Sequence, residues 1–288
     1  MDMKDVSVVI PAKNEARNLE GFLPRLREQI GDAQCIVVND GSTDDTEQVC
    51  RQHGVTVVTH PYSKGNGAAI KSGARAASGR VLVFIDGDGQ HKPEDITRLL
   101  AELDKGYDMV VGARDRDSQA DSFRALANGI YNRLSSLITG HDILDLTSGL
   151  RVVYADRFRE FLYLLPNGFS YPTTCTMAFF RAGYSVGYLP IQTEQRLGES
   201  HISLVKDGIR FLIIIFKVGT LYSPLKIFLP TSAAFFFTGC FYYLYTFISE
   251  GRFTNMSAVL FMTAILIFLI GLVSEQVTAL MYKDSDSD

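Results

Sequence analysis

Val81-Leu82-Val83-Phe84-Ile85-Asp86-Gly87-Asp88-Gly89-Gln90-His91 decides the reading of this chain: an apolar run passes directly into two carboxylates one residue apart. A run of this kind bounded by glycine suits a central strand of a parallel α/β sheet, and open α/β sheets gather their ligands at the carboxyl ends of the strands. Asp86 and Asp88 at such an end suit a hard divalent cation, Mg2+ or Mn2+, serving a phosphate-bearing substrate. The competing reading is a polar turn after a strand, for which Asp and Gly are ordinary residues.

Working outward, strands and helices alternate, which signals a parallel α/β sheet. Residues 6–10 read as a strand, 15–29 as a helix with Leu19, Leu23 and Leu26 on one face, and 35–38 as a second strand. A helix over 44–53, with Ser42, Thr43 and Asp44 as caps, leads to a strand over 55–59. A small-residue helix over 67–77 precedes the Asp86 strand, and a helix over 94–103 precedes a strand over 109–111. The strand ends carry polar runs: Pro11-Ala12-Lys13-Asn14-Glu15, Asn39-Asp40-Gly41-Ser42 and Asp86-Gly87-Asp88. In such a sheet these converge on one edge. Lys64-Gly65-Asn66-Gly67 offers backbone amides and an ammonium to an anion, or is a plain glycine turn; it lacks the Gly-Lys-Ser/Thr ending of a P-loop.

The last third of the 288 residues differs in character. After Pro224, residues 225–248 and 256–280 are apolar stretches, each long enough for a hydrocarbon core that takes about 20 residues. Ser274-Glu275-Gln276 interrupts the second, and the short Glu250-Gly251-Arg252 loop leaves the alternative, a hairpin buried in a soluble core, little protein to hide against. Few small residues mark a helix-packing face. Lys206, Arg210, Lys217 and Lys226 precede the first stretch and Lys283 follows the second, with Arg252 between them. The distribution predicts an integral membrane protein with its large domain and both termini cytoplasmic, in the inner or plasma membrane if the source is a prokaryote. Lys206, Arg210 and Lys217 share one face of a stretch with an apolar core over 211–216, which predicts a helix lying in the membrane interface. No signal peptide is expected ahead of Val6. Cys35, Cys50, Cys175 and Cys240 lack metal-ligand spacing, and a net charge of -4 argues against general nucleic-acid binding. The expected division is a catalytic domain over 1–202, an interface helix over 203–223, a membrane hairpin over 224–283 and a polar tail over 284–288.

Val8-Val9-Ile10-Pro11 with Asn14-Glu15, Val37-Val38-Asn39-Asp40-Gly41-Ser42-Thr43-Asp44, and the Asp86/Asp88 pair with Gln90-His91 together resemble the family 2 inverting glycosyltransferases, whose nucleotide-sugar domain is of the GT-A type. Gly112-Ala113-Arg114, Asp145-Leu146-Thr147-Ser148-Gly149-Leu150-Arg151 and Arg196-Leu197-Gly198-Glu199-Ser200 extend the likeness over nearly the whole chain. With the hairpin, they point to the polyprenyl-phosphate subgroup, similar to dolichol-phosphate mannosyltransferases and undecaprenyl-phosphate glucosyltransferases.

The resemblance implies an α/β, Rossmann-like GT-A domain and transfer of a hexose from a UDP- or GDP-sugar to a polyprenyl phosphate. It implies Asp86, Asp88 and Gln90 as ligands of Mg2+ or Mn2+, with Asp88 nearest the diphosphate, and a donor pocket shaped by Pro11, Asn14, Glu15, Asp40 and Lys64. Asp40 would read the nucleobase. Arg114, Arg124, Arg151, Arg196 and Ser200 would meet phosphates, since guanidinium forks match phosphate geometry; Asp88, Arg114 and Arg124 are the expected catalytic residues. Two departures stand out. Pro172-Thr173-Thr174 follows Gly168-Phe169-Ser170-Tyr171 where relatives carry an acidic, general-base-like residue, and His201 stands where lysine is common. A phosphate monoester, with a second pKa of about 6, is already an ionised nucleophile and does not need the base.

Overall fold

The structure is a computed structural model that describes residues 1–114, 122–168, 170–193, 213, 216, 219, 220 and 222–283, without the side chains of 122–128, 130, 282 and 283. It divides into two compact units, one of residues 1–136 and 141–207 and one of residues 137–140 and 208–288.

The first unit is built on strands β1 (Val6–Ala12), β2 (Gln34–Asn39), β3 (Thr56–Thr59), β4 (Val81–Phe84), β5 (Met109–Arg114), β6 (Arg151–Tyr154) and β7 (Val186–Ile191), in the order β3-β2-β1-β4-β6-β5-β7. Its helices are α1 (Ala16–Ile30), α2 (Thr46–Gln52), α3 (Asn66–Ala76), α4 (Glu94–Leu103), α5 (Ser122–Thr139), α6 (Ala155–Glu160) and α7 (Tyr171–Arg181). β4 is central and wholly buried, as its unbroken apolar run requires. Leu19, Leu23, Leu26 and Ile30 of α1 and Ile96, Leu99 and Leu103 of α4 are fully buried at helical spacing in one core cluster. Each such side chain contributes about 1.5–3 kcal/mol.

The sheet is mixed where the alternation predicted a parallel one. β4 runs parallel to β1 but antiparallel to β6, which is also antiparallel to β5. The physical reason lies in the segment before β6: Arg151, its first residue, pairs with Phe84 and Val111, so the chain enters the sheet from the carboxyl edge. Residues 145–150 therefore run past the tip of β4. α2 starts two residues later than its cap pattern suggests, because the Asp44 carboxylate accepts from the Thr46 N–H (3.1 Å) and the Ala16 N–H (3.2 Å) and so ties two helix starts together.

The second unit contains α8 (Leu225–Glu250) and α9 (Asn255–Lys283), both long and apolar enough to cross a membrane. Only 11% and 17% of their most apolar windows is buried, whereas the helices of a hairpin in a soluble core would be mostly buried. Phe241, Ile248, Met262 and Val273 all point outward. The helices meet at two glycines that the sparse small residues did not advertise: a Cβ on Gly239 would lie 3.1 Å from the Phe261 ring, and one on Gly271 would lie 2.6 Å from Phe228 Cβ. Glu275 reaches the start of α8, accepting the Leu225 N–H at 3.2 Å, an orphan donor of that helix end. The interface helix expected over 203–223, with Lys206, Arg210 and Lys217, lies largely outside the described residues.

Candidate functional site

The carboxyl ends of β1, β2 and β4 surround a cavity of about 390 Å³ lined by Pro11, Ala12, Lys13, Glu15, Asp40, Ser63, Gly65, Asn66, Ala69, Asp86, Gly87 and Asp88. Pro11, Glu15, Asp40, Asp86 and Asp88 thus meet where the strand-end pattern predicted. Asn14 takes another part. Held at φ 56, it donates its N–H to Ser42 (2.9 Å) and accepts the Thr43 N–H on its side-chain oxygen (2.8 Å). It clamps the loop after β1 to the loop after β2 and does not line the cavity.

Asp40 is buried, and both its oxygens are occupied. Oδ1 accepts from His60 Nδ1 (2.7 Å) and the Lys64 N–H (2.8 Å), and Oδ2 from the Ser63 hydroxyl (2.8 Å) and the Gly65 N–H (2.9 Å). A carboxylate has about four acceptor positions, so none is left for a nucleobase while these bonds stand. Burial disfavours the charge, but the bonds from His60, Lys64, Gly65 and Ser63 outweigh it and hold the pKa at about 2. The glycine loop is corrected by the same bonds. Its Lys64 and Gly65 amides, expected for a ligand anion, serve Asp40, while the Ala68 N–H serves the Asn167 carbonyl (2.9 Å). The Lys64 ammonium sits over the Tyr62 ring, 5.8 Å from its centre. The anion in this nest is a side chain of the protein.

Asp86 is one-third exposed to the cavity and approaches His91 Nε2 at 3.6 Å, while His91 Nδ1 is buried without a partner among the described residues. Burial opposes ionisation of Asp86, but His91 and the charges of Arg114 and Arg151 hold its pKa below the usual range. Its other wall is backbone: a Cβ on Gly149 would fall 2.1 Å from Asp86 Oδ2, so glycine alone lets residues 145–150 pass this close. Asp88 accepts the Gln90 N–H at 3.2 Å, and Gln90 itself is not among the cavity-lining residues. Among the described residues no group of three or more His, Cys, Asp or Glu forms a ready cage for a metal. Two carboxylates on the wall of an open cavity nevertheless fit Mg2+ or Mn2+, which keep positions for water and substrate phosphates. Asp86 and Asp88 would hold the ion, and it would supply charge neutralisation for a departing diphosphate.

The expected phosphate-binding arginines separate. Arg114, at the end of β5, binds Asp145 through Nε (2.7 Å) and Nη2 (3.0 Å), with Nη2 also reaching Thr147 (2.6 Å). Its fork is largely committed to the 145–147 turn. Arg151 is fully buried, so it does not reach a substrate phosphate: Nη1 donates to the Pro172 carbonyl (3.0 Å) and Thr176 (3.3 Å), and Nη2 to the Ser148 carbonyl (2.7 Å). A guanidinium on the strand's inner face is held by the core that surrounds it. Arg196, Ser200 and His201, and the side chain of Arg124, lie outside the described residues.

The model of glycosyl transferase family 2 matches residues 7–181, and that of the GtrB C-terminal hairpin matches residues 223–280. The chain belongs to glycosyl transferase family 2. Glycosyltransferase AglJ of Haloferax volcanii is 26% identical over 96% of this chain and 94% of its own. The undecaprenyl-phosphate 4-deoxy-4-formamido-L-arabinose transferase of Klebsiella pneumoniae is 34% identical over 52% of this chain. This transferase spans 48% of that relative and 63% of an uncharacterized protein of Methanocaldococcus jannaschii that is 32% identical. Glucosyl-3-phosphoglycerate synthase of Mycobacterium tuberculosis, in complex with Mn2+, UDP-glucose and phosphoglyceric acid, superposes with a TM-score of 0.62 at 21% identity, covering 75% of this chain and 81% of its own. The same enzyme in complex with Mn2+, UDP and glucosyl-3-phosphoglycerate gives 0.57 at 23% identity, over 74% of this chain and 79% of its own. These likenesses show the GT-A fold for the first unit, and the hairpin match relates the two long apolar helices of the second to the GtrB C-terminal hairpin.

Several residues of the transferase site were not singled out from sequence. Lys13 lines the cavity and was visible in the run after β1, though no spacing distinguished it from a surface lysine. Ser63, His60 and Ser72 act through Asp40: His60 Nε2 lies 2.8 Å from the Ser72 hydroxyl, so the imidazole bridges α3 to the nest. Pro172, Thr173 and Thr174, in place of an acid, are buried at the start of α7, where Thr173 accepts the Tyr131 hydroxyl at 2.9 Å.

Proposed function

We propose that this family 2 glycosyltransferase is a membrane-anchored, inverting enzyme that moves a hexose from a nucleoside diphosphate sugar, UDP- or GDP-linked, to a polyprenyl phosphate. The observation that carries this is the presence on one chain of a carboxylate-edged cavity at the strand ends and a hairpin of the GtrB type. The cavity suits a nucleotide: it is concave, and its lining includes Lys13 together with Asp86 and Asp88. Asp86 and Asp88 would hold Mg2+ or Mn2+, which would neutralise charge on the diphosphate, and Lys13 would add charge toward the same anion. The acceptor phosphate attacks the anomeric carbon opposite the leaving diphosphate, so an α-linked donor gives a β-linked lipid product. Catalysis rests on alignment and charge stabilisation, because the phosphate oxygen is already ionised. The cations flanking the two spans support a cytoplasmic catalytic unit and cytoplasmic termini.

The test incubates the purified, detergent-solubilised chain with Mn2+, a polyprenyl phosphate and a panel of UDP- and GDP-sugars, with lipid products read by mass spectrometry. A polyprenyl-phosphate hexose that disappears with Asp86→Asn is the expected result. Donor binding without any lipid product would overturn the acceptor and favour a hydroxyl acceptor instead.

A further inference from the structure

Arg151 is a fully buried cation whose hydrogen-bond acceptors, Pro172 and Ser148 carbonyls and the Thr176 hydroxyl, are all neutral. Its Nε–H is buried without any acceptor, and among the described residues it makes no ion pair. A buried guanidinium is costly unless negative charge compensates it. The geometry shows where that charge lies. Arg151 stands opposite Phe84 in the sheet, two residues before Asp86. Its Nη2 fixes the Ser148 carbonyl, and the next residue, Gly149, packs its backbone on the Asp86 carboxylate. Tyr171 completes the support, with its ring 5.6 Å from the guanidinium and its hydroxyl donating to the Gly149 carbonyl at 3.3 Å.

We propose that Arg151 is a positioning residue of the donor site: it keeps a permanent positive charge behind Asp86 and holds Gly149 on that carboxylate, so that the site takes a bare divalent cation weakly and a nucleoside diphosphate with its cation strongly. This rests on the donor-site reading above. A fixed positive charge in a low-dielectric interior repels a lone dication and attracts a polyphosphate. Having two carboxylates in place of a three-ligand cage works in the same direction. The metal therefore enters with the donor.

The test uses the full chain in detergent and measures, by titration, the affinity for Mn2+ alone and for UDP without metal, together with the thermal transition. Arg151→Met removes the charge. Thr176→Asp keeps the arginine but sets a carboxylate against Nη1, now 3.3 Å from the threonine hydroxyl, and cancels its field. Both variants should bind Mn2+ alone roughly three- to tenfold more tightly and metal-free UDP weaker by a similar factor, whereas Arg151→Lys should stay near wild type for Mn2+. If Arg151→Met does not fold, Thr176→Asp decides by the same criterion. A folded variant in which both affinities fall together, or neither moves, overturns the proposal in favour of a packing role. A wild-type chain that binds neither probe overturns the donor-site reading, and this proposal with it.

Discussion

Asp40→Asn separates a side chain that organises the cavity from one held ready for a ligand. The carboxylate receives four donors, two on each oxygen. An asparagine of the same shape turns one oxygen into an NH2, so one backbone N–H, that of Lys64 or of Gly65, faces another donor whichever way the amide is set; the Ser63 hydroxyl or the other His60 tautomer can accept, and the remaining bonds lose their charge assistance. One charge-assisted bond lost, at about 1.5–3 kcal/mol, and the weakening of the others put the loss near 2–4 kcal/mol. The lowered pKa of Asp40 has the same origin, because these four bonds outweigh the burial that opposes its charge, and it sets the sign of the pH dependence. A loss of about 2–4 kcal/mol at pH 7 should lower the melting temperature by roughly 5–15 °C. The chain has no tryptophan, so melting is followed by circular dichroism or tyrosine fluorescence. The pH dependence has a fixed sign. The folded pKa is depressed, so the stabilisation is fully present above the unfolded value of 3.8 and is lost as pH falls toward about 2. The gap between wild type and variant should stay constant from pH 7 to pH 5 and close below pH 4. Equal melting at pH 7, or a gap as wide at pH 2.5 as at pH 7, would refute the reasoning.

Gly149→Ala puts a methyl group 2.1 Å from Asp86 Oδ2, so the carboxylate must move; Mn2+-dependent turnover should fall at least tenfold while circular dichroism at 25 °C stays native. Asp145→Asn strips a buried partner from Arg114, and the melt should report a loss of about 3–5 kcal/mol. His60→Ala removes one donor from Asp40 and the link to Ser72, and should raise the KM for the donor sugar more than it lowers kcat. Gly271→Val places its Cβ 2.6 Å from Phe228 Cβ and should lower the melting temperature of the full chain in detergent, whereas Gly271→Val with Phe228→Ala should recover part of the loss.

The parts of the fold that were legible in the sequence are those that rest on local periodicity. The buried β4 run, the spacing of Leu19, Leu23 and Leu26, and the two long apolar stretches each record their environment within a few residues. β6 escaped because Arg151-Val152-Val153-Tyr154 is short and begins with a charge, which reads as surface until the strand is seen to pass through the core. The same ambiguity misplaced Arg151: a sequence shows the guanidinium but not the Pro172 and Ser148 carbonyls that hold it. Asp40, Asp86 and Asp88 were found because strand ends in α/β sheets converge. The partners of Asp40 were not, since His60 and Gly65 reach it across 20 and 25 residues of chain and leave no local pattern. Gly149 shows the limit well: its need for glycine comes from a carboxylate more than sixty positions away, and only the packed structure displays it.

The central claim is that the cavity at the strand ends takes a nucleoside diphosphate with a divalent cation on Asp86 and Asp88. The most direct measurement is a crystal of the chain soaked with Mn2+ and UDP, with diffraction collected for manganese anomalous scattering. The prediction is one strong anomalous peak beside Asp86 and Asp88, with UDP density in the cavity between Pro11 and Ser63. A peak elsewhere, or UDP bound outside that cavity, would contradict it.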